Sequence, residues 1–260
     1  MGILEGNVAL ITGTGAGIGK QTAIRFAEEG AKIIMCDYNE EKLRITEELL
    51  KEKGAEVLSL VIDINDTKQL KILVEEGVKR FGTIDTLLNI AVGGGTNGGP
   101  TQVPFAETPL EYFESFNHAT VAYAHLMQLC YPYLKGKESS VINFSSFMHY
   151  GSQQGKPLYL SAGAISKAAI AGLTRVVADE WGLDGIRVNM IYPSAVTDTL
   201  KGNGYGLEKL IENMSLNAFK RPGDPYKDIA GVCVFLASPD SRFLTGQSFF
   251  ASGGASMGRA

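Results

Sequence analysis

The sequence predicts an α/β fold, a doubly wound three-layer sandwich around a mostly parallel, seven-stranded sheet. Two observations predict it: short β-branched apolar runs alternate with longer stretches of helical period, and the first run leads directly into a glycine-rich turn. The alternation continues without a break in composition. Strands and helices in alternation are typical of a parallel sheet that is covered by helices on both faces.

The strands are expected where apolar character is nearly continuous, as it is in strands buried on both faces. These runs lie at residues 8–12, 32–36, 57–62, 86–90, 140–145 and 187–191. Between the first four runs, residues 21–29, 40–53 and 68–81 space their apolar side chains three and four positions apart, as helices laid on a sheet require. Gly30 and Gly54 are expected to end the first two of these helices.

The 260 residues are expected to form a single domain, 1–260, because this length is near the upper end of what one hydrophobic core supports. Ligands of doubly wound sheets bind at the carboxyl ends of the strands, where two irregular segments are expected. The Gly/Pro-rich segment 93–104 follows the fourth strand as a rim to the pocket, or merely as a solvated loop. Segment 198–225 follows the sixth strand, and we interpret it as a substrate lid.

Composition excludes several classes of function. The chain is 45% hydrophobic and 20% charged, which excludes general disorder, and 24 basic against 28 acidic side chains argue against a nucleic-acid partner. Cys36, Cys130 and Cys233 have no metal-binding spacing with the histidines, so we expect reduced thiols and no metal. No apolar run is long enough to span a bilayer and no signal peptide is evident, which predicts a cytoplasmic protein without a membrane partner.

The glycine-rich turn lies at residues 12–19, between the first strand and the first helix. Backbone N–H groups and the helix dipole face one point there, which suits a pyrophosphate. Glycines are needed because a Cβ would keep the backbone from the phosphates and the helix from the strand. The turn therefore predicts a Rossmann-type dinucleotide site. Its expected contact residues are Gly13, Thr14, Gly17, Ile18 and Gly19.

Asp37 closes the second strand, twenty residues after Gly17. A carboxylate at this position accepts hydrogen bonds from the adenosine ribose hydroxyls. Its charge would repel the 2′-phosphate of NADP, and neither Ala16 nor Tyr38 offers the cation that NADP needs. The sequence therefore predicts NAD as the cofactor. Taken alone, Asp37 is equally compatible with an ordinary turn carboxylate ahead of Asn39.

These residues resemble the short-chain dehydrogenase/reductase family over almost the whole chain. The TGxxxGxG turn of the family is matched at residues 12–19, and its fifth strand with the catalytic serine at residues 141–146. The chain departs from the family at Ile90, Val92 and Ser194, where Asn, Gly and Gly are usual. The resemblance implies further cofactor contacts from Asp63, Ile64, Asn89, Lys167 and Val196. It implies catalytic roles for Asn117, Ser146, Tyr159 and Lys167.

The YxxxK pair of the family is altered in this chain. Lys167 aligns with the lysine, but Gly163 stands four residues before it. Tyr159 lies 13 residues after Ser146, the separation usual in the family, and eight residues before Lys167. On a regular helix this spacing would leave Tyr159 and Lys167 about 12 Å apart along the axis. Direct pairing would therefore need an irregular start to the helix. Tyr150 is the alternative proton donor, and the absence of any donor stays open.

The chemistry follows from the reaction that the resemblance implies. Hydride transfer between a nicotinamide and a carbonyl carbon leaves an alkoxide that must be protonated. Tyr159 would be the acid, and the Lys167 ammonium would favour its phenolate while holding the nicotinamide ribose. Ser146 would hydrogen-bond the substrate oxygen, and Asn117 would anchor a water.

Three functions remain open. The first is an NAD(H)-dependent oxidoreductase that interconverts a secondary alcohol and a ketone on a small to medium apolar substrate. A steroid-like substrate is one candidate, since residues 131–134 and 223–225 resemble bacterial hydroxysteroid dehydrogenases. The second is an enoyl-thioester reductase, because the enoyl-acyl-carrier reductases also separate their Tyr and Lys widely. The third is a catalytically degenerate subunit that supports an active paralogue.

The resemblance also implies assembly. Family members usually associate through the helices that carry Asn117 and Lys167 and through the C-terminal strand, whose end fits residues 251–254. We therefore expect a homo-oligomer, a dimer or a homotetramer. A hetero-oligomer with a paralogue is the alternative that accompanies the degenerate-subunit hypothesis.

Overall fold

The computed structural model describes residues 2–92, 102–146, 150, 159–197 and 207–255, and its centre is a seven-stranded parallel sheet. The strand order is β3-β2-β1-β4-β5-β6-β7, and every neighbouring pair runs parallel. This arrangement confirms the predicted doubly wound Rossmann-type fold. The order reverses between β1 and β4, where ligands of such sheets bind. The strands are β1 (Val8–Thr12), β2 (Lys32–Asp37), β3 (Val57–Val61), β4 (Thr86–Asn89), β5 (Ser139–Phe144), β6 (Ile186–Pro193) and β7 (Ser248–Ala251).

Helices follow the strands in alternation, as predicted. The first helix begins at Gly17, four residues earlier than its apolar period indicated, because the glycine turn itself forms its first turn. The third helix ends at Gly82, whose φ of 80° is left-handed. The α-helices of the described chain are α1 (Gly17–Glu28), α2 (Glu40–Glu52), α3 (Thr67–Phe81), α4 (Leu110–Leu134), α5 (Ser161–Trp181), α6 (Leu207–Met214) and α7 (Gly231–Ala237).

The inner strands β1, β2, β4, β5 and β6 are buried on both faces, which explains their nearly continuous apolar runs. The edge strands β3 and β7 are only partly buried. Successive side chains of a strand point to opposite faces. In β1, Ile11 packs in a cluster with Phe26 of α1, whereas its neighbour Leu10 packs in the opposite cluster with Leu73 of α3. All four side chains are completely buried. The two helical layers therefore fix the register of the sheet.

The predicted lid is only partly described. Residues 198–206 lie outside the described residues, as do residues 93–101 of the predicted rim. The described remainder of the lid contains α6 and then returns to the end of β6, where Gly223 forms a parallel bridge with Ala195. No helix in the described ranges is long and apolar enough to cross a membrane.

Candidate active site

In the glycine turn, neighbouring backbone segments approach each other more closely than any side chain would permit. Gly13 has a φ of 74°, in the left-handed region, and a Cβ on it would lie 3.0 Å from the Cα of Ala91. A Cβ on Gly19 would lie 2.0 Å from the carbonyl oxygen of Gly13. The first turn of α1 can therefore press against the end of β1. Its free N–H groups then face the space above the turn, as an anionic group requires.

A cavity of about 560 Å³ opens beside this turn, at the carboxyl ends of β1, β2 and β4. Its size and its mixture of apolar side chains with a few polar groups suit a nucleotide-sized ligand. The cradle that a Cβ would fill and the carboxylate at its edge fit a dinucleotide. The predicted contact residues that line it are Gly13, Gly17, Ile18, Gly19, Asp37, Asp63 and Ile64.

Asp37 is held in a fixed orientation at this cavity. One carboxylate oxygen accepts a hydrogen bond from the backbone N–H of Gly15 and the other from that of Asn39, each at 2.9 Å. Lys42 also lines the cavity, and its Cβ and the Asp37 carboxylate both lie close to Gly15. Sequence reasoning missed Lys42. Its position on the first turn of α2, directly after the Asp37 strand, was the available signal.

Four predicted cofactor contacts do not line this cavity: Thr14, Asn89, Val196 and Lys167, which lies beside the end of β5. The Thr14 hydroxyl turns back to donate to the carbonyl of Cys36 at 3.2 Å, so only its backbone stays at the turn. Asn89 is completely buried and donates to the Asn143 side chain at 2.8 Å. Val196 donates its N–H to the carbonyl of Gly223, and its neighbour Thr197 lines the cavity instead. The roles of these four residues in cofactor binding stay predictions.

Lys167 lies beside the end of β5, the strand that leads to Ser146. Its Nζ donates to the carbonyl of Phe144 at 3.1 Å, and the Ser145 hydroxyl donates to the Lys167 carbonyl at 2.8 Å. Burial disfavours the charged amine and lowers the pKa of Lys167 to about 8. The structure therefore brings Lys167 to the strand end where the sequence placed Ser146. Their catalytic roles stay predictions.

Tyr159 is not part of the helix that carries Lys167. The helix α5 begins at Ser161, and Tyr159 precedes it with a left-handed φ of 52°. Its side chain is 49% exposed, and among the described residues no hydrogen bond joins it to Lys167. The irregular start that pairing would need is present, so the 12 Å separation estimated for a regular helix does not apply.

Tyr150, the alternative donor, packs in an aromatic cluster at the ends of β6 and β7. Its ring centroid lies 6.2 Å from that of Tyr192 and 6.1 Å from that of Phe250, and the latter two rings stack at 4.5 Å. Burial, followed by the nearby Tyr150, raises the pKa of Tyr192 to about 12. Tyr150 is 39% exposed and therefore remains accessible to a substrate. His149, the histidine nearest to it in sequence, lies outside the described residues.

The structure places Asn117 away from the buried face of α4, and its predicted role of anchoring a water stays a prediction. It is exposed on α4, about 200° around the helix from the buried Ala119. The α4 side chain that faces Lys167 is Tyr123, whose ring centroid is 5.8 Å from Nζ. Sequence reasoning missed Tyr123, although the helical spacing of the buried positions 119, 123, 126 and 130 includes it and excludes Asn117.

Comparison with known proteins finds relatives over nearly the whole chain. A family model described as enoyl-(acyl carrier protein) reductase matches residues 13–256. A 12alpha-hydroxysteroid dehydrogenase from Clostridium sp. (strain ATCC 29733 / VPI C48-50) is 36% identical over 266 residues, which cover 98% of this chain and 98% of that protein. The 7alpha-hydroxysteroid dehydrogenase of Escherichia coli K12 is 33% identical over 254 residues, covering 96% and 94%.

Solved structures show the same likeness in three dimensions. A 7 alpha-hydroxysteroid dehydrogenase complexed with NADH and 7-oxo glycochenodeoxycholic acid superposes with a TM-score of 0.84 at 33% identity, over 96% of this chain and 94% of that one. An L-sorbose reductase from Gluconobacter frateurii, complexed with NADPH and L-sorbose, has a TM-score of 0.84 at 27% identity and covers 98% of both chains. The chain therefore belongs to the short-chain dehydrogenase/reductase family and is an oxidoreductase.

Proposed function

We propose that this enzyme uses NAD(H) to interconvert a secondary alcohol and a ketone on a small to medium apolar substrate of steroid-like size. The observation that carries the choice of cofactor is Asp37, whose carboxylate is held at the cavity by the N–H groups of Gly15 and Asn39. A negative charge at this place disfavours a 2′-phosphate. The relatives that act on hydroxysteroids support the substrate class. The sorbose reductase is complexed with NADPH, so the choice between NAD and NADP needs a direct test.

The proton that the reaction requires would be transferred beside the carboxyl end of β5. The nicotinamide, when bound, supplies or accepts the hydride. Lys167 would hold the ribose next to the nicotinamide and favour the phenolate of the donor tyrosine, and Ser146 would hydrogen-bond the substrate oxygen. Tyr159 is the donor that we propose, with Tyr150 as the second candidate. Ser146 is only partly buried, so its surroundings remain open to a substrate.

The test is oxidation of a panel of secondary alcohols, hydroxysteroids included, by the purified protein with NAD or with NADP. Reduced nicotinamide is followed by its near-ultraviolet absorbance. We expect turnover with NAD, a preference for NAD over NADP of at least tenfold, and loss of turnover in Lys167→Met. Preference for NADP would contradict the cofactor assignment while leaving the reaction type intact.

An enoyl-thioester reductase is the second candidate. It is favoured by the description of the matching family model and by the eight residues that separate Tyr159 from Lys167 in the sequence. The same tyrosine would then protonate a thioester enolate oxygen. Oxidation of NADH by crotonyl or longer enoyl thioesters, without oxidation of any alcohol, would establish it. Absence of both activities from the purified protein, and their appearance on addition of a paralogue, would support the degenerate subunit.

We propose in addition that the protein acts in the cytoplasm as a homo-oligomer, a dimer or a tetramer. The exposed faces of α4 and α5 support this proposal. Val121, Ile165 and Val176 lie on these faces and are about half exposed. Exposed apolar side chains on adjoining helices are typical of an association surface. Light scattering of the purified protein tests it, and a monomer at micromolar concentration would contradict it.

A further inference from the structure

The ammonium of Lys167 lies close to two groups that come from different elements. Nζ donates a hydrogen bond to the carbonyl of Phe144, at the end of β5, at 3.1 Å. Nζ also lies over the ring of Tyr123 of α4, at 5.8 Å from the ring centroid. The face of an aromatic ring carries partial negative charge and attracts a cation at this distance. The ammonium therefore has two electrostatic contacts, and one of them is a side chain.

The remaining surroundings offer this ammonium little compensation. Within the described chain, Lys167 forms no ion pair with any carboxylate. The Ser145 hydroxyl bonds the Lys167 carbonyl rather than its amine, and the Tyr159 hydroxyl makes no hydrogen bond to it among the same residues. Burial alone is the cause of the lowered pKa of Lys167. A neighbouring group that favours the charged amine should therefore change the pKa of Lys167 by a measurable amount.

The Tyr123 ring is fixed by its neighbours along α4. One turn before it, the Thr120 and Ser166 hydroxyls lie 3.3 Å apart, and Ser166 directly precedes Lys167 on α5. One turn after it, the sulfur of Met127 accepts a hydrogen bond from Asn143 of β5 at 3.6 Å. Tyr123 itself is 1% exposed. The ring is therefore held against both of the elements that position the amine.

We propose that Tyr123 is a positioning residue of the active site, whose ring holds the Lys167 ammonium against the Phe144 carbonyl and keeps it charged. Its catalytic consequence rests on the proposed function, but the placement of the amine does not depend on turnover. The Tyr123 hydroxyl is buried and, in the described part of the chain, has no hydrogen-bond partner. The ring rather than the hydroxyl is thus the active part, so phenylalanine should replace tyrosine without loss.

The experiment is a titration of the Lys167 amine in the full-length protein. The rate of trace acetylation of the Lys167 peptide is followed by mass spectrometry from neutral to alkaline pH. Wild type is compared with Tyr123→Phe, which keeps the ring, and with Tyr123→Met, which fills a similar volume without one. We expect Tyr123→Phe to titrate as the wild type does. The midpoint of Tyr123→Met should move toward acid by about half a pH unit, because its ammonium loses the ring.

A second pair of variants covers the case in which Tyr123→Met does not fold. Phenylalanine and pentafluorophenylalanine, each introduced at position 123, have nearly the same shape but opposite charge on the ring face. The fluorinated ring should lower the Lys167 midpoint relative to phenylalanine. Equal midpoints in this pair would overturn the proposal, and so would a shift in Tyr123→Phe as large as that in Tyr123→Met.

The readouts separate this inference from the proposed function. Acetylation requires no substrate, so a protein without alcohol dehydrogenase activity still tests the role of Tyr123. Where activity is present, the pH profile of kcat/KM should move in Tyr123→Met and stay unchanged in Tyr123→Phe. Normal activity combined with identical Lys167 titrations in all variants would reject the proposed role of Tyr123 and leave the proposed function intact.

Discussion

The carbonyl of Tyr159 accepts a hydrogen bond from the backbone N–H of Val103 at 2.9 Å. This bond joins the segment that leads into α5 to the segment that leads into α4. Tyr159 has a left-handed φ of 52°, a conformation that costs a residue with a Cβ on the order of 1–2 kcal/mol. Such a conformation persists where neighbouring contacts hold it. The place of Tyr159 is therefore set by the backbone around it and not by the helix of Lys167.

Tyr159→Phe should reduce kcat by about 100-fold or more, because it removes the proposed proton donor. The melting temperature should stay unchanged, since the side chain is 49% exposed and its hydroxyl has no bond within the described residues. Tyr150→Phe is the matched control and should retain most of the activity. If the two variants exchange these results, the donor is Tyr150.

Asp37→Ala should lower kcat/KM with NAD by about 10- to 100-fold, the value of one or two hydrogen bonds to a charged acceptor. Activity with NADP should rise at the same time, because the repelling charge is removed and Lys42 lines the same cavity. Steady-state kinetics with both cofactors measure the change. The double variant with Lys42→Ala should lose the gain with NADP, and a gain that survives would show that Lys42 does not take part.

Gly19→Ala should abolish dinucleotide binding and destabilise the fold by about 1–3 kcal/mol, because the added Cβ would lie 2.0 Å from the Gly13 carbonyl oxygen. Gly231→Ala is the control: it has a helical φ of −61° and no atom within 4 Å of the new Cβ. That variant should bind NAD normally. Calorimetric titration with NAD and urea unfolding check both, and normal binding in Gly19→Ala would contradict the assigned cradle.

Lys167→Met should be more stable than wild type at neutral pH, and the difference should shrink as pH rises. The folded-state pKa of Lys167, about 8, is below its ordinary value of 10.5. Below pH 8 both states carry the proton, and the folded state bears the full burial penalty. Between these two values the unfolded state binds more protons, so raising the pH stabilises the wild type relative to the variant.

Because Lys167 keeps part of its surface exposed, the change should be about 1 to 2 kcal/mol. Urea unfolding of both proteins at neutral and alkaline pH measures it. A stability difference that is independent of pH would show that the Lys167 amine titrates normally.

The sheet and the dinucleotide turn could be read from the sequence because both depend on local patterns. Continuous apolar runs such as residues 8–12 require burial on both faces, and the glycines at 13 and 19 require close backbone contact. Asp37 followed from its distance along the chain from the turn. Each of these features involves residues that are close in sequence or belong to one βαβ unit.

The catalytic end of the site was less predictable, because it combines elements that are distant in sequence. A motif spacing counts residues along a regular helix, but Tyr159 lies outside α5 in a conformation held by Val103. The family resemblance, rather than a contact, selected Asn117, which lies exposed on α4. Tyr123 carried no motif, and its ring faces Lys167 only because α4 and α5 pack side by side.

The amino-acid sequence by itself determined the parallel sheet, the glycine cradle and the carboxylate at its edge, since short-range patterns of burial and backbone geometry specify them. Only the tertiary structure decided which side chains surround the Lys167 amine and whether Asn89 and Thr14 turn toward the cavity or away from it. These choices depend on how helices rotate and pack against the sheet, and that packing is a property of the whole chain.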